Sequence, residues 1–531
     1  MDDQAKLLNS LPKYCSWQDL QQYFATSSNS MIVLSLILLI LSLYVFNTII
    51  RGRKLNLPPS PTRLPIIGNL HQLAGALGLH RSFRALSEKY GPLILVHVFN
   101  APTLVVSSEE MSREVLNNSA FLDRPLSKAT NVLLYGSDIV FSRYGDYWRE
   151  TKKLCVVELL SLKRVRAFRY VTEEEVATMT ENIRGSCSQS EGVPVDLSKM
   201  FLAIASDIVS RCALGGKYER GDGRESFGVV SSRAMELLVS FSFEDLVPSL
   251  GWIDVLTGFN RRIRETAKEL HSLLDRVIEE HKERSGDNQS DKKDLVDILL
   301  HAQKNGQLQV NLTQENIKAI LMDMFIGGTD NNTAAMEWAM AELVKNPNLM
   351  RKAQEEVRRV VGNKSKIDET DIDQMEFLKC VIKEALRLHA PVMIPRETSA
   401  LAKLKGYDIP ARTRVVINAW AIQRDPKIWE NAEEFIPDRF LNNNSNNAID
   451  FKGNHSQFIP FGAGRRVCPG IMFAIAQVEY VLANLLYWFD WKLPPGQNLE
   501  NFDMTETGLA GLTIRKKIPL HLVPVMFSPS S

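Results

Sequence analysis

The chain has 531 residues, 45% of them hydrophobic and 24% charged, and a formal net charge of +1. A balance this close to neutral leaves no electrostatic footprint for nucleic acid. Its six cysteines, at 15, 155, 187, 212, 380 and 468, are widely scattered, with no CxxC or zinc spacing. Such spacing excludes a disulfide framework and suits a reducing compartment.

Residues 1–30 form a polar prefix with Cys15 and Trp17. The segment 31–50, MIVLSLILLILSLYVFNTII, follows with twenty uncharged, mostly apolar residues. At helical rise it spans about 30 Å, the thickness of one hydrocarbon core. It is long for a signal peptide and no small-residue cleavage site follows it. Arg51, Arg53 and Lys54 come next, and the positive-inside rule puts that end in the cytosol. The expectation is a single-pass anchor, with 1–30 lumenal and the body cytosolic. Residues 51–68 are basic and proline-rich, with prolines at 58, 59, 61 and 65. They favour an extended hinge and forbid a helix.

From 69 to 531 the pattern predicts one helix-rich domain without internal repeats. Residues 93–99 and 103–106 alternate around Asn100-Ala101-Pro102 and predict a hairpin. The β-branched run 413–417 predicts a strand. Residues 512–515 and 518–523 flank Lys516-Lys517 and predict a terminal hairpin. The polar stretches 283–294 and 442–447 read as loops.

Several segments carry chemistry. Trp148 and Lys152 stand one helical turn apart, so an indole N–H and a cation can meet one carboxylate. The other reading is an amphipathic helix with a solvated basic face. Between Arg149 and Arg169 there are seven basic and two acidic residues, by default a solvated surface. A long helix over 313–345, capped by Thr313, measures about 50 Å and must cross the core. Its middle, Gly327-Gly328-Thr329-Asp330-Asn331-Asn332, breaks local rules, since each glycine costs about 1 kcal/mol there. Either another helix approaches closely, or the ladder opens locally, as bulges at functional sites do. Glu384 and Arg387 form an i,i+3 pair of a kind usually worth a few tenths of a kcal/mol on a surface. Phe461-Gly-Ala-Gly464-Arg-Arg466-Val-Cys468-Pro-Gly470 sets a lone cysteine in a glycine–arginine loop before an apolar helix. Small residues let the backbone approach a flat macrocycle, amide N–H groups can temper a thiolate, and arginine can meet an anionic edge. A dinucleotide fingerprint fits poorly: its third glycine is Val467, and no βαβ context follows.

The loop from Pro460 to Gly470 resembles the haem-binding signature of the cytochrome P450 family, in the plant microsomal form PFGxGRRxCPG. The resemblance covers nearly the whole chain. It implies a mostly α fold with small β-sheets, and haem b (iron protoporphyrin IX) with Cys468 as the axial iron ligand and Phe461 in its loop. It implies propionate contacts from Trp148, Lys152, Arg396 and Arg466. It makes Glu384, Arg387 and Arg439, the last in Pro437-Asp438-Arg439-Phe440, a structural triad. Gly327, Gly328 and Asp330 match the oxygen-activation motif, but Asn331 and Asn332 stand at its two hydroxyl positions. Asp330 and Asn331 are the catalytic candidates. NADPH–cytochrome P450 reductase would supply electrons by docking on the basic stretch. Contacts to a small lipophilic substrate are expected from 131–144, from near Met324 and Gly328, from 392–394 and from 509–511. The implied activity is oxidation of a plant specialised metabolite, a terpenoid, alkaloid or phenylpropanoid, with O2 and NADPH at the endoplasmic reticulum membrane. Two alternatives are a reductase-independent isomerase or dehydratase, suggested by Asn331, and a non-catalytic haem protein.

Overall fold

The computed structural model of the chain describes residues 35, 38, 39, 42, 55–73, 78–189, 192–218, 227–240, 242–284, 293–306, 309–389, 393–441, 449–507 and 513–527. The expected prefix and anchor lie outside the described residues, apart from four helical positions at 35, 38, 39 and 42. So do 442–447 and most of the 283–294 stretch. The compact body begins at Leu57 and takes in the proline-rich segment, earlier than the boundary at 69. Leu95 N–H donates to the Pro59 carbonyl at 2.8 Å. Gly68, at φ 64°, ends the segment where a Cβ would lie 2.3 Å from the His97 carbonyl oxygen, so only glycine fits.

Among the described residues the strands are short and make three sheets. β1 (Leu93–Val98) and β2 (Ala101–Val106) form the expected hairpin. β3 is Val195–Asp196, β4 is Ile394–Glu397, β5 is Ala402–Leu404 and β6 is Tyr407–Ile409. β7 (Arg414–Ile417), β8 (Phe489–Lys492) and β9 (His521–Met526) complete the set. The largest sheet has the order β1-β2-β7-β4; β3-β9-β8 and β5-β6 are smaller. β4 runs antiparallel to β7, with Arg396 opposite Val415. Its alternation buries Ile394 and Arg396 on one face. The predicted hairpin around Lys516-Lys517 is not formed. Residues 505–507 pair instead with 515–517, through Thr507 N–H to Arg515 O and Lys517 N–H to Thr505 O. β9 starts only after Pro519, which has no N–H to give a ladder, and pairs with β8 and β3.

Helices dominate. Five matter for the site: α1 (Asp146–Leu154), α2 (Leu197–Leu214), α3 (Gln314–Lys345), α4 (Glu376–Leu388) and α5 (Ile471–Trp488). α3 opens on a capping box, in which Thr313 and Asn316 exchange side-chain and backbone hydrogen bonds. Every residue from Met336 to Val344 is buried, as a helix crossing a core requires. α5 is the one helix among the described residues long and apolar enough to cross a membrane. It is mostly buried inside the body, packed on α3 and α4, so it is a core helix. α2 packs along α3, and at Gly328 a Cβ would meet Val209 Cγ2 of α2 at 2.8 Å. At Gly327 an added Cβ meets nothing within 4 Å.

The two adjacent glycines therefore differ in their tolerance. Gly328→Ala is expected to destabilise by about 1–3 kcal/mol through overpacking against α2. Gly327→Ala is expected to be neutral or to gain up to about 1 kcal/mol of helix propensity. Thermal unfolding of both variants checks the difference; equal losses would contradict it.

Candidate active site

The cysteine loop is built by its own backbone. Gly462 N–H donates to Ile459 O, Val467 N–H to Gly464 O, and Cys468 N–H to Phe461 O at 3.0 Å. Gly464, at φ 71°, sits where a Cβ would fall 2.5 Å from the Leu116 carbonyl oxygen. The loop thus rests flush on its neighbour. α5 starts at Ile471, just beyond Gly470, whose amide donates to the Cys468 sulfur. Burial pushes the Cys468 thiol up, while that amide, Lys152 and Arg124 pull it back. A metal ion bound to sulfur removes the proton outright.

Above the sulfur lies a cavity of about 270 Å³. Its walls include Ile139 and Val140, Met324, Gly327, Gly328 and Asn331 of α3, Val209 of α2, Ile394 and Phe473. Of the expected substrate contacts, 392 and 509–511 lie outside the described residues. The rim is cationic. Arg124, Lys152 and Arg466 line the cavity, and Arg396 is buried beside it. Burial lowers all four, Lys152 to about 8 and Arg466 to about 9, and mutual repulsion adds to the effect at Lys152, Arg396 and Arg466.

Trp148 and Lys152 both line the cavity, and their donors also hold backbone carbonyls. Trp148 Nε1–H donates to the Ile139 carbonyl at 2.9 Å, and Lys152 Nζ donates to Arg465 O and Val467 O, both at 2.7 Å. These two side chains hold the cavity wall and the cysteine loop. Arg466 Nη2 donates to Ser142 O at 2.6 Å, and Arg396 Nη1 to Pro395 O at 2.9 Å. The Nε groups of Arg124 and Arg466 are buried without partners. Asp138 faces both Arg124 and Arg466, yet their Nε donors stay orphaned and Arg396 faces only like charge, so a further anion suits the cluster. Two propionates on one edge of a flat apolar macrocycle fit this arrangement. Arg124 was missed from sequence, where Asp123-Arg124-Pro125 offers no spacing to distinguish it from a surface arginine.

α3 continues as an α-helix through Gly327–Asn332, so the expected local opening is absent. The close approach of α2 explains Gly328. Asn331 Nδ2–H donates back to the Gly327 carbonyl at 3.3 Å, and Thr513 Oγ1–H donates to Asn331 Oδ1 at 2.8 Å. Both ends of the amide are engaged. Asn332 also lines the cavity and donates to Gln477 Oε1 at 2.7 Å. Asp330 faces a neighbouring cavity of about 220 Å³ with Thr507, Thr513 and Arg515, and pairs with Arg515 at 3.0 Å. Thr513 lines both cavities.

Glu384, Arg387 and Arg439 meet. Arg387 forks onto Glu384 at 2.7 and 2.8 Å, and Arg439 Nε–H donates to Glu384 Oε1 at 2.9 Å. Glu384 and Arg387 are fully buried. Arg387 also donates to Gln423 O, Ala432 O and Glu434 O, and Arg439 to Glu430 O. Gln423 Oε1 in turn accepts from Ile459 N–H at 2.8 Å, at the entrance to the cysteine loop.

A lone cysteine in a glycine–arginine loop that lines a largely apolar cavity, with buried arginines beside it, is what a haem-thiolate protein needs. A family model, Cytochrome P450, matches residues 58–521. The chain is 46% identical over 527 residues to a phenylacetaldehyde oxime monooxygenase of Prunus mume, covering 97% of this chain and 98% of that one. It is 49% identical over 465 residues to cytochrome P450 71A1 of Persea americana, covering 86% and 91%. It is 44% identical over 478 residues to an indoleacetaldoxime dehydratase of Arabidopsis thaliana, covering 89% and 93%. The chain belongs to the cytochrome P450 family and sits with its plant A-type members. It is a cytochrome P450 monooxygenase by class, with haem b as its cofactor and NADPH as the electron source through a reductase.

Removing one member of a buried ionic network strands the others. Glu384→Ala is expected to cost about 3–5 kcal/mol, read as a lower thermal midpoint with loss of bound haem. An unchanged midpoint would show that the carbonyl contacts of the two arginines suffice.

Proposed function

We propose that this enzyme oxidises a small lipophilic plant specialised metabolite, a terpenoid, alkaloid or phenylpropanoid, at the endoplasmic reticulum membrane with its body in the cytosol. The observation that carries the reading is the apolar cavity directly over Cys468. Such a cavity with few polar handles suits a ligand of this kind. Cys468 is the axial ligand, in a loop begun by Phe461. Arg124, Arg396 and Arg466 hold the propionates, with Trp148 and Lys152 fixing the surrounding backbone. Haem bound by a thiolate supplies the activation of dioxygen.

The chain's own part is positioning and proton supply. Ile139, Val140, Met324, Val209 and Phe473 exclude water and orient the substrate. Asp330 and Arg515 keep the smaller cavity polar. Thr513 lines both cavities, so its hydroxyl can take a proton from water on the Asp330 side and release its own to water in the larger cavity, held in place by Asn331 Oδ1. The resemblance places a hydroxyl at 331, and here Thr513 brings one from another segment.

A reductase docks, in this reading, on the surface over 149–169. Arg166 and Arg169 are already paired with Glu369 and Glu173, and Arg149 with Asp146. Lys153 and Lys163 remain exposed beside the apolar Val156, Val157 and Leu162. Complementary charge there chiefly raises the on-rate. The double variant Lys153→Glu/Lys163→Glu should slow reduction by the reductase about tenfold at low salt, converging on wild type as salt rises. A salt-independent defect would point to misfolding.

Dehydration without a reductase is the second reading, favoured by an amide at 331 with both ends engaged and by the name of one relative. Incubation of membranes with plant metabolite extract, with and without reductase and NADPH, separates the two by mass spectrometry. Products gaining oxygen only with NADPH support oxidation; products losing water without it overturn it. Thr513→Ala and Asn331→Ala should each raise hydrogen peroxide formed per NADPH several-fold. Wild-type coupling in both would remove these residues from proton supply.

A further inference from the structure

Two carboxyl groups beside the cavity have no part in the reading above. Asp138 is wholly buried in the loop 137–142, and Asp323, on α3 one turn before Gly327, is 5% exposed. In each, one oxygen is satisfied by the same loop. Phe141 N–H donates to Asp138 Oδ2 at 2.7 Å, and Ile139 N–H donates to Asp323 Oδ2 at 2.5 Å. The other oxygen of each, Oδ1 in both, is buried without a partner. Carboxylates have no donor to offer one another, so two orphaned acceptors in one buried region are costly. A single proton cures both defects, because it turns one acceptor into a donor for the other. We propose that Asp138 and Asp323 share one proton, and that this bond latches the 137–142 loop to α3 over the substrate cavity.

The electrostatics assign the partners. Burial raises Asp323 well above the ordinary carboxyl range, and the charge of Asp138 raises it further, against the Ile139 and Val140 amides and Arg124. Burial pushes Asp138 up to about 6, opposed by the Phe141 amide and by Arg124 and Arg466. Asp323 therefore keeps the proton and Asp138 accepts from it. The other titratable groups facing the pair, Tyr147 of α1 and Cys155 just beyond it, are both raised by burial and stay neutral. Arg124 and Arg466 are the cations that face it.

The latch acts on substrate-facing residues. Ile139 is clamped at both ends of its peptide, by Asp323 at N–H and by Trp148 Nε1–H at C=O. Ile139 and Val140 line the cavity. Asp323 is thus a positioning residue for the pocket wall. Its folded-state pKa lies above its unfolded value, so the stabilisation is complete below the ordinary carboxyl range. It is lost as pH rises through the raised value.

Hydrogen-exchange mass spectrometry of the full-length haem-loaded protein tests this, following peptides over 137–142 with intrinsic rates corrected. As pH rises from neutral through the raised value of Asp323, wild-type protection should fall by up to about tenfold per pH unit. Asp323→Asn keeps a carbonyl for Ile139 and gives Asp138 an N–H, so its protection should be flat. Asp138→Asn gives Asp323 an N–H and should be flat as well, which keeps the test open if the first variant folds poorly. A flat wild-type profile, or the same slope in wild type and both variants, overturns the proposal.

Discussion

A cluster of buried positive charge is the constraint on which the rest of the site depends. Arg124, Arg396 and Arg466 converge beside one apolar cavity, and burial depresses all three. Asp138 faces Arg124 and Arg466 and offsets part of their charge, while Arg396 faces the other two arginines, so the cluster stays expensive without a further anion. The arrangement makes sense as a receptor for a dianionic edge, and its cost is offset when that edge is bound. Apo protein is accordingly expected to be less stable than holo protein, by the linkage that governs any ligand bound only by the folded state.

The surroundings hold those charges and Cys468 in register. Arg466 sits two residues before the cysteine and also grips Ser142 O. Lys152 ties α1 to the loop through two carbonyls. From below, the buried Glu384–Arg387–Arg439 network reaches the loop through Gln423 and Ile459. The central helix supplies part of the cavity wall and packs tightly on α2, because position 328 has no side chain. A braced cysteine loop and mostly apolar cavity walls suit a site in which a fixed cofactor meets a small molecule.

What was legible in the sequence was local. The cysteine loop, the α3 cap and the first hairpin depend on residues within a few positions of each other, and short patterns record them. Glu384 and Arg387 could be paired from spacing; that they are fully buried could not. Long-range contacts were not legible. Trp148 and Lys152 share the expected helix face but spend their donors on backbone carbonyls. Arg124 reaches the rim only through tertiary folding. Two glycines in α3 suggested an opened ladder, yet one of them serves a helix contact and the Gly327 carbonyl is occupied by Asn331. The terminal hairpin was misplaced because Pro519 and the pairing of 505–507 with 515–517 shift the final strand. The partnership of Asp138 with Asp323 joins residues far apart in sequence, and no pattern announces it.

The central claim, that Cys468 carries the iron as a thiolate, is tested most directly by the absorbance of the reduced carbon-monoxide complex in wild type and Cys468→Ser. The account predicts the red-shifted thiolate band in wild type and its complete loss in the variant. A wild-type spectrum in Cys468→Ser would contradict it.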